Sequence, residues 1–89
     1  MTIAFDRAKD AINRKKHGIS LARAEDFDFD AAIYEIDGSQ DYGEVRYFAI
    51  GFIDARLFSL TFTMNGEEIR AISLRKATKD DEKNFREGQ

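Results

Sequence analysis

The chain has 89 residues, 43% of them hydrophobic and eight of them Phe, enough for one small domain over 1–89 whose core is thin but sufficient. It has no Cys and one His, which excludes a disulfide framework, a thiolate metal site, a Cys nucleophile and a zinc enzyme built on several imidazoles, so neither metal nor cofactor is expected. No apolar run approaches the ~20 residues of a membrane span, and the N-terminus turns polar at Asp6 where a signal peptide would stay apolar; the expected setting is the cytoplasm, with no membrane contact.

The net charge of −3 is laid out in blocks. Residues 7–17 carry Arg7, Lys9, Arg14, Lys15 and Lys16 against Asp10. Residues 25–44 carry eight acids and no Lys or Arg, and residues 45–79 are again net basic. A molecule with one acidic and one basic side can bind a polyanion through the basic side. Both blocks can equally be solvated surface.

In chain order, Ile3 and Phe5 alternate as a short edge strand would. Asp6 can N-cap a helix over 7–16, with Ala8, Ala11 and Ile12 on its apolar face and Lys9, Asn13 and Lys16 on a separate polar stripe. Gly18 suits the left-handed residue that ends such a helix. Ser20 starts a second helix over 20–27, with Ile19 placed to staple onto Ala24. Four strand signals follow: 31–37, closed by a turn at Gly38-Ser39; 44–53; 57–64, after a turn at Asp54-Ala55-Arg56; and 67–75, after the hairpin signal Asn65-Gly66. Thr78, with Asp81 three residues on, caps a last helix that tucks in Phe85. The spacing Asp26-x-Asp28-x-Asp30 imitates the start of a calcium loop, but Ala31 stands where that loop turns on Gly, and Asp37 where it ends on Glu.

The order predicts an α+β fold: an antiparallel four-stranded sheet packed by two N-terminal helices, with a C-terminal helix. Strand parity assigns Phe48, Ile50, Phe52, Phe58, Leu60, Phe62, Ile72 and Leu74 to a bulky face under the first two helices. Tyr47, Ala49, Gly51, Ser59, Thr61, Thr63, Ala71, Ser73 and Arg75 then form a small, hydroxyl-rich face, either wet surface or a binding floor.

Phe5-Asp6-x-x-Lys9, then Asn13-x-x-Lys16-His17-Gly18-Ile19 and Ala24, resembles the N-terminal signature of BrnT-like toxins of type II toxin–antitoxin systems. Arg46, Gly51, Thr61-Phe62-Thr63, the segment Ile69-Arg70-x-Ile72-Ser73-x-Arg75-Lys76-Ala77-Thr78 and Glu82 continue the resemblance over nearly the whole chain. It implies a RelE-like fold, cleavage of RNA that inhibits translation, and neutralisation by a BrnA-like antitoxin of ribbon-helix-helix type. That antitoxin would bring the pair to operator DNA and, by two-fold symmetry, into a 2:2 complex. Phe5 stands where the family usually has Trp, and Phe85 where it usually has Tyr. The alternative is a catalytically inactive RelE-like binding module that serves as antitoxin partner and co-repressor.

A ribonuclease that works without metal needs a proton acceptor for the 2′-hydroxyl, a donor for the leaving oxygen and cations for the phosphate. His17 is the one side chain that titrates near neutrality; its place at a helix C-terminus favours the charged form and suits an acid more than a base. It can also be a helix-terminating His bonded to a backbone carbonyl. Lys16 beside it binds phosphate or is solvated. Arg75, on the open face by parity, can grip phosphate with its fork or pair with the acids of the last helix. Arg46 and Arg70 have the parity of the bulky face; either they reach out at its rim, or they pair with carboxylates, or a bulge shifts the register. Tyr47 can stack a base or be a plain sheet aromatic, and Lys76 and Lys79 extend the basic track.

Overall fold

The computed structural model describes residues 2–37 and 43–88. Its elements are β1 (Thr2–Ala4), α1 (Arg7–His17), a 3-10 helix (Leu21–Asp26), β2 (Ile33–Asp37), β3 (Arg46–Ile53), β4 (Arg56–Asn65), β5 (Glu68–Lys76) and α2 (Lys79–Glu87). The strands form one five-stranded sheet in the order β1-β5-β4-β3-β2. β1 runs parallel to β5, with Ile3 opposite Ile69, and the remaining pairs are antiparallel. The expected four-stranded antiparallel sheet is corrected by β1, three residues that add a parallel edge. The expected turn at Gly38-Ser39 lies outside the described residues.

The helix ends follow local chemistry. Asp6 accepts from the Ala8 N–H, and Gly18, at φ +73°, closes α1 in the left-handed region. Ser20 caps the next segment by accepting from the Ala22 N–H, but that segment winds as a six-residue 3-10 helix. Thr78 and Asp81 form a complete capping box at the start of α2.

The expected packing of two helices over one sheet face is corrected as well. Ala8, Ala11 and Ile12 are all exposed, and Asn13 is the one buried residue of α1. The helix lies along the outer edge of β5, beyond the stretch that β1 pairs. There the Asn13 amide nitrogen donates to the Leu74 carbonyl at 2.9 Å, and the Asn13 carbonyl accepts from the Leu74 N–H at 3.0 Å. The same nitrogen donates to the Ile19 carbonyl at 2.9 Å. Asp10, one turn earlier, accepts from the Ser20 hydroxyl and the Leu21 N–H, at 3.0 and 2.7 Å. The 3-10 helix fixed in this way delivers Leu21, Ala24 and the following Phe27 to the core.

The core face consists of Ala49, Gly51 and Ile53 from β3, Phe58, Leu60 and Phe62 from β4, and Ile69, Ala71 and Leu74 from β5. Full burial of side chains such as Leu21, Leu60 and Leu74 contributes about 1.5–3 kcal/mol each. Parity placed Phe58, Leu60 and Phe62 correctly but misplaced all of β3. A three-residue turn would pair residues of like parity; the observed loop holds only Asp54 and Ala55, so Ile53 pairs with Arg56 and Gly51 with Phe58. Phe48, Ile50 and Phe52 therefore lie on the opposite face. Phe52 there meets Phe85 of α2 edge to face, with centroids 5.4 Å apart. Ala49, Gly51 and Ala71 belong to the core; a Cβ on Gly51 would stand 2.8 Å from Cζ of Phe27, so only glycine lets that ring rest on β3.

Replacing Asn13 by Ala leaves the Leu74 N–H and two carbonyls without their partner, which is expected to cost about 3 kcal/mol. Asn13→Asp should cost at least as much, because it turns an oxygen toward two carbonyls. Urea unfolding midpoints check both variants; values near the parent's would show that water replaces the amide at this edge.

Candidate RNA-contacting face

The face opposite the core carries Phe48, Ile50 and Phe52 on β3, Ser59, Thr61 and Thr63 on β4, and Ser73 and Arg75 on β5, as the pairs Phe48–Thr61–Ser73 and Ile50–Ser59–Arg75 require. A register shift between Thr61 and Phe62 changes the parity of β5, and Arg70 pairs with Thr63. Arg70 is thereby brought to the same face as Arg75, and Arg46, one pleat from Phe48, joins it. Of the three readings left open for Arg70, the bulge is the one that forms. For Arg46 the expected parity was right but that face is not the core; Arg46 is half-buried there, in register with Asp37.

Arg75 is one-third exposed, with its Nη1 2.7 Å from a carboxylate oxygen of Asp81. Nη1 also donates to the Lys76 carbonyl at 3.3 Å, and the guanidinium carbon lies 5.8 Å from the centre of the Phe48 ring. The pairing with an acid of the last helix is thus present. It engages one nitrogen of the fork, and no hydrogen bond involves Nη2 or Nε among the described residues. Burial works to raise the Asp81 pKa, but bonds from the Thr78 N–H and from Arg75 outweigh it and hold the carboxyl below its ordinary value. That stabilisation is complete above the ordinary carboxylate range and is lost as pH falls through the lowered value.

Beside this face, Lys9, Ile12, Asn13, Lys16 and His17 of α1 and Ile72 and Ser73 of β5 line a groove of about 220 Å³. Lys16 is exposed and His17 half-buried. Partial burial, then the charges of Lys16 and Arg75, lower the His17 pKa from its ordinary 6.5. These influences favour the neutral imidazole, which can accept a proton, and act against the charged form expected at a helix end.

Tyr47, Lys76 and Lys79 are not gathered with these groups. Tyr47 lies on the core face, stacked on Phe62 with centroids 5.5 Å apart, so its expected place on the open face is corrected. Lys76 ends β5 with the register of Phe58, on the core-face side, and Lys79 begins α2. Sequence reasoning passed over Lys9 as a groove residue, although the stripe Lys9-Asn13-Lys16 signalled it; Ser73, assigned to the hydroxyl-rich face, lines the same groove. Among the acids of the last helix offered as partners for Arg75, the one that pairs is Asp81, which also closes the capping box.

A family model described as the ribonuclease toxin, BrnT, of type II toxin–antitoxin systems matches residues 5–81. No curated protein sequence matches the chain. The family match runs from the residue before the α1 cap to the residue that holds Arg75, and the chain belongs to the BrnT family of ribonuclease toxins of type II toxin–antitoxin systems.

Proposed function

We propose that this ribonuclease toxin cleaves RNA without a metal ion, on the face that carries Arg46, Arg70 and Arg75, and that the cleavage inhibits translation in the cytoplasm. The observation that carries the reading is the sharing of one face by three guanidinium groups, Arg70 brought beside Arg75 by the register shift between β4 and β5 and Arg46 placed there by the parity of β3, next to a groove holding Lys9, Lys16 and His17. The 2′-oxygen attacks the neighbouring phosphorus, its proton passes to His17, and the P–O5′ bond breaks to give a cyclic phosphate and a 5′-hydroxyl. Lys16 or water protonates the leaving oxygen. Arg75 holds the phosphate through the edge of its fork that Asp81 leaves open, with Arg46 assisting at the phosphate and Arg70 extending the track for the RNA backbone.

The antitoxin that the family implies is proposed to be BrnA-like, of ribbon-helix-helix type. It would blanket the same face in a 2:2 complex and supply the only contact with DNA. A second reading, a non-catalytic partner and co-repressor, is favoured by the ion pair that already engages Arg75. Absence of RNA cleavage by the purified chain, together with tight capture by the antitoxin, would establish that second reading.

Arg75→Ala is expected to lower the cleavage rate by about 10²–10³, with Arg75→Lys recovering part of it and a chelator leaving the parent rate unchanged. Because Arg75→Ala leaves Asp81 without its cation, while Arg75→Lys can still pair with it, thermal unfolding is recorded beside the rates. Cleavage by Arg75→Ala at the parent rate would remove the phosphate role.

The pH profile tests His17. Its folded-state pKa lies below 6.5, so a base role predicts a plateau at neutral pH and an acid limb centred below 6.5, where the imidazole takes up a proton. His17→Gln should lower the rate and flatten that limb; a limb centred above 6.5 would assign it to another group.

A further inference from the structure

We propose that the cavity between the β2–β3 edge of the sheet and α2 is the nucleobase subsite of this ribonuclease, and that it selects guanine. The proposal rests on the reading that RNA lies on this face with a phosphate at Arg75. The cavity holds about 170 Å³ and is lined by Ile33, Tyr34, Glu35, Phe48, Ile50 and Asn84. Ile33 pairs with Ile50 and Glu35 with Phe48, so these four side chains stand on the face that carries Arg75. The C-terminal end of α2 closes one side: a Cβ on Gly88 would stand 2.8 Å from Cγ2 of Ile33.

The lining has the make-up of a base pocket, apolar walls with few polar groups. Phe48 ties the cavity to the phosphate site, because its ring centre lies 5.8 Å from the Arg75 guanidinium carbon. A base stacked against Phe48 is then one ribose away from a phosphate on Arg75. Stacking on an aromatic ring is how single-stranded RNA bases are held, and their Watson–Crick edges are what side chains read.

The polar groups choose the base. Glu35 is exposed and makes no hydrogen bond or ion pair among the described residues. A carboxylate only accepts, through two oxygens side by side. Guanine alone among the four RNA bases presents two adjacent donors, N1–H and N2–H, on that edge. Adenine, cytosine and uracil each set an acceptor beside the donor, which a carboxylate repels. The side-chain amide of Asn84, exposed on α2 across the cavity, can donate to guanine O6.

The test maps cut sites made by the purified full chain in RNA of random sequence. It also measures, by calorimetry, the binding of 2′-deoxy dinucleotides, which lack the attacking hydroxyl and are not cleaved. Cuts beside guanine are expected to exceed those beside each other base by about tenfold to a hundredfold, with Glu35→Gln erasing the preference and leaving circular dichroism unchanged. An even distribution of cuts in the parent, or a guanine preference that survives Glu35→Gln, overturns the subsite while the ribonuclease reading stands. Should no RNA be cut, that reading fails and the binding arm decides. Tighter binding of the guanine dinucleotide that depends on Glu35 supports the subsite, and equal binding of all four overturns it. Phe48→Leu, expected to weaken every base by about tenfold, separates stacking from edge reading.

Discussion

The side-chain amide of Asn13 does for β5 what a further strand would do. β1 pairs only the first part of that edge, from Glu68 to Arg70. Farther along, the N–H and C=O of Leu74 would face outward unpaired if the amide did not take both. Because a buried amide must satisfy its donor and acceptor together, the helix that carries Asn13 is held in one position along the sheet. From that position Asp10 fixes the start of the 3-10 helix, and the 3-10 helix supplies Leu21 and Ala24 to the core. The same constraint presents Lys9, Lys16 and His17 to the groove beside Ser73. One polar contact thus sets both the core packing and the basic side of the site.

The two sheet faces divide packing from chemistry, and turn length decides which residues go where. The two-residue loop at Asp54 and Ala55, with Asp54 at φ 55°, sends the odd residues of β3 inward and leaves Phe48 and Ile50 for the other side. The bulge in β5 then lets Leu74 remain in the core while Arg70 and Arg75 share the outer face. Without that irregularity a strand of strict period two would have placed them on opposite sides. The cationic face is a product of register, set by two short irregularities of the backbone.

What was legible in the sequence was local. Asp6, Gly18, Ser20 and the pair Thr78–Asp81 act within four residues of their targets, and each caps as its residue type dictates. The Asn65-Gly66 signal marked its hairpin within one residue, the pairing closing at Asn65 and Glu68. Two of the failures depended on partners far along the chain. The parallel union of β1 with β5 joins Ile3 to Ile69, and nothing near Ile3 announces it. Ala8, Ala11 and Ile12 looked like a packing face because their spacing fits one, yet Asn13 and its partner Leu74, sixty-one residues away, decide how α1 lies. The candidate site was offered by the sequence as a set of cations, through charge and the family pattern. Its geometry was not, since one residue of loop length moves Tyr47 from a floor for RNA to a stack on Phe62.

Arg75 serves the fold and the proposed chemistry at once, and its planar fork allows this. Asp81 is largely buried and bonded to the Thr78 N–H at 2.9 Å; stripped of its cation it would be a buried charge with no counter-ion. The start of α2 therefore depends on Arg75, and through Phe85 so does the cover over Phe52. A lysine would have to share one ammonium between the carboxylate and a phosphate. A guanidinium holds Asp81 at Nη1 and still offers Nη2 and Nε along a second edge. The ion pair then orients the fork, and a phosphate that docks on the free edge meets a group already held in place by α2. The helix that carries Asp81 also carries Asn84, so a nucleotide spanning Arg75 and Phe48 would contact the sheet and α2 together.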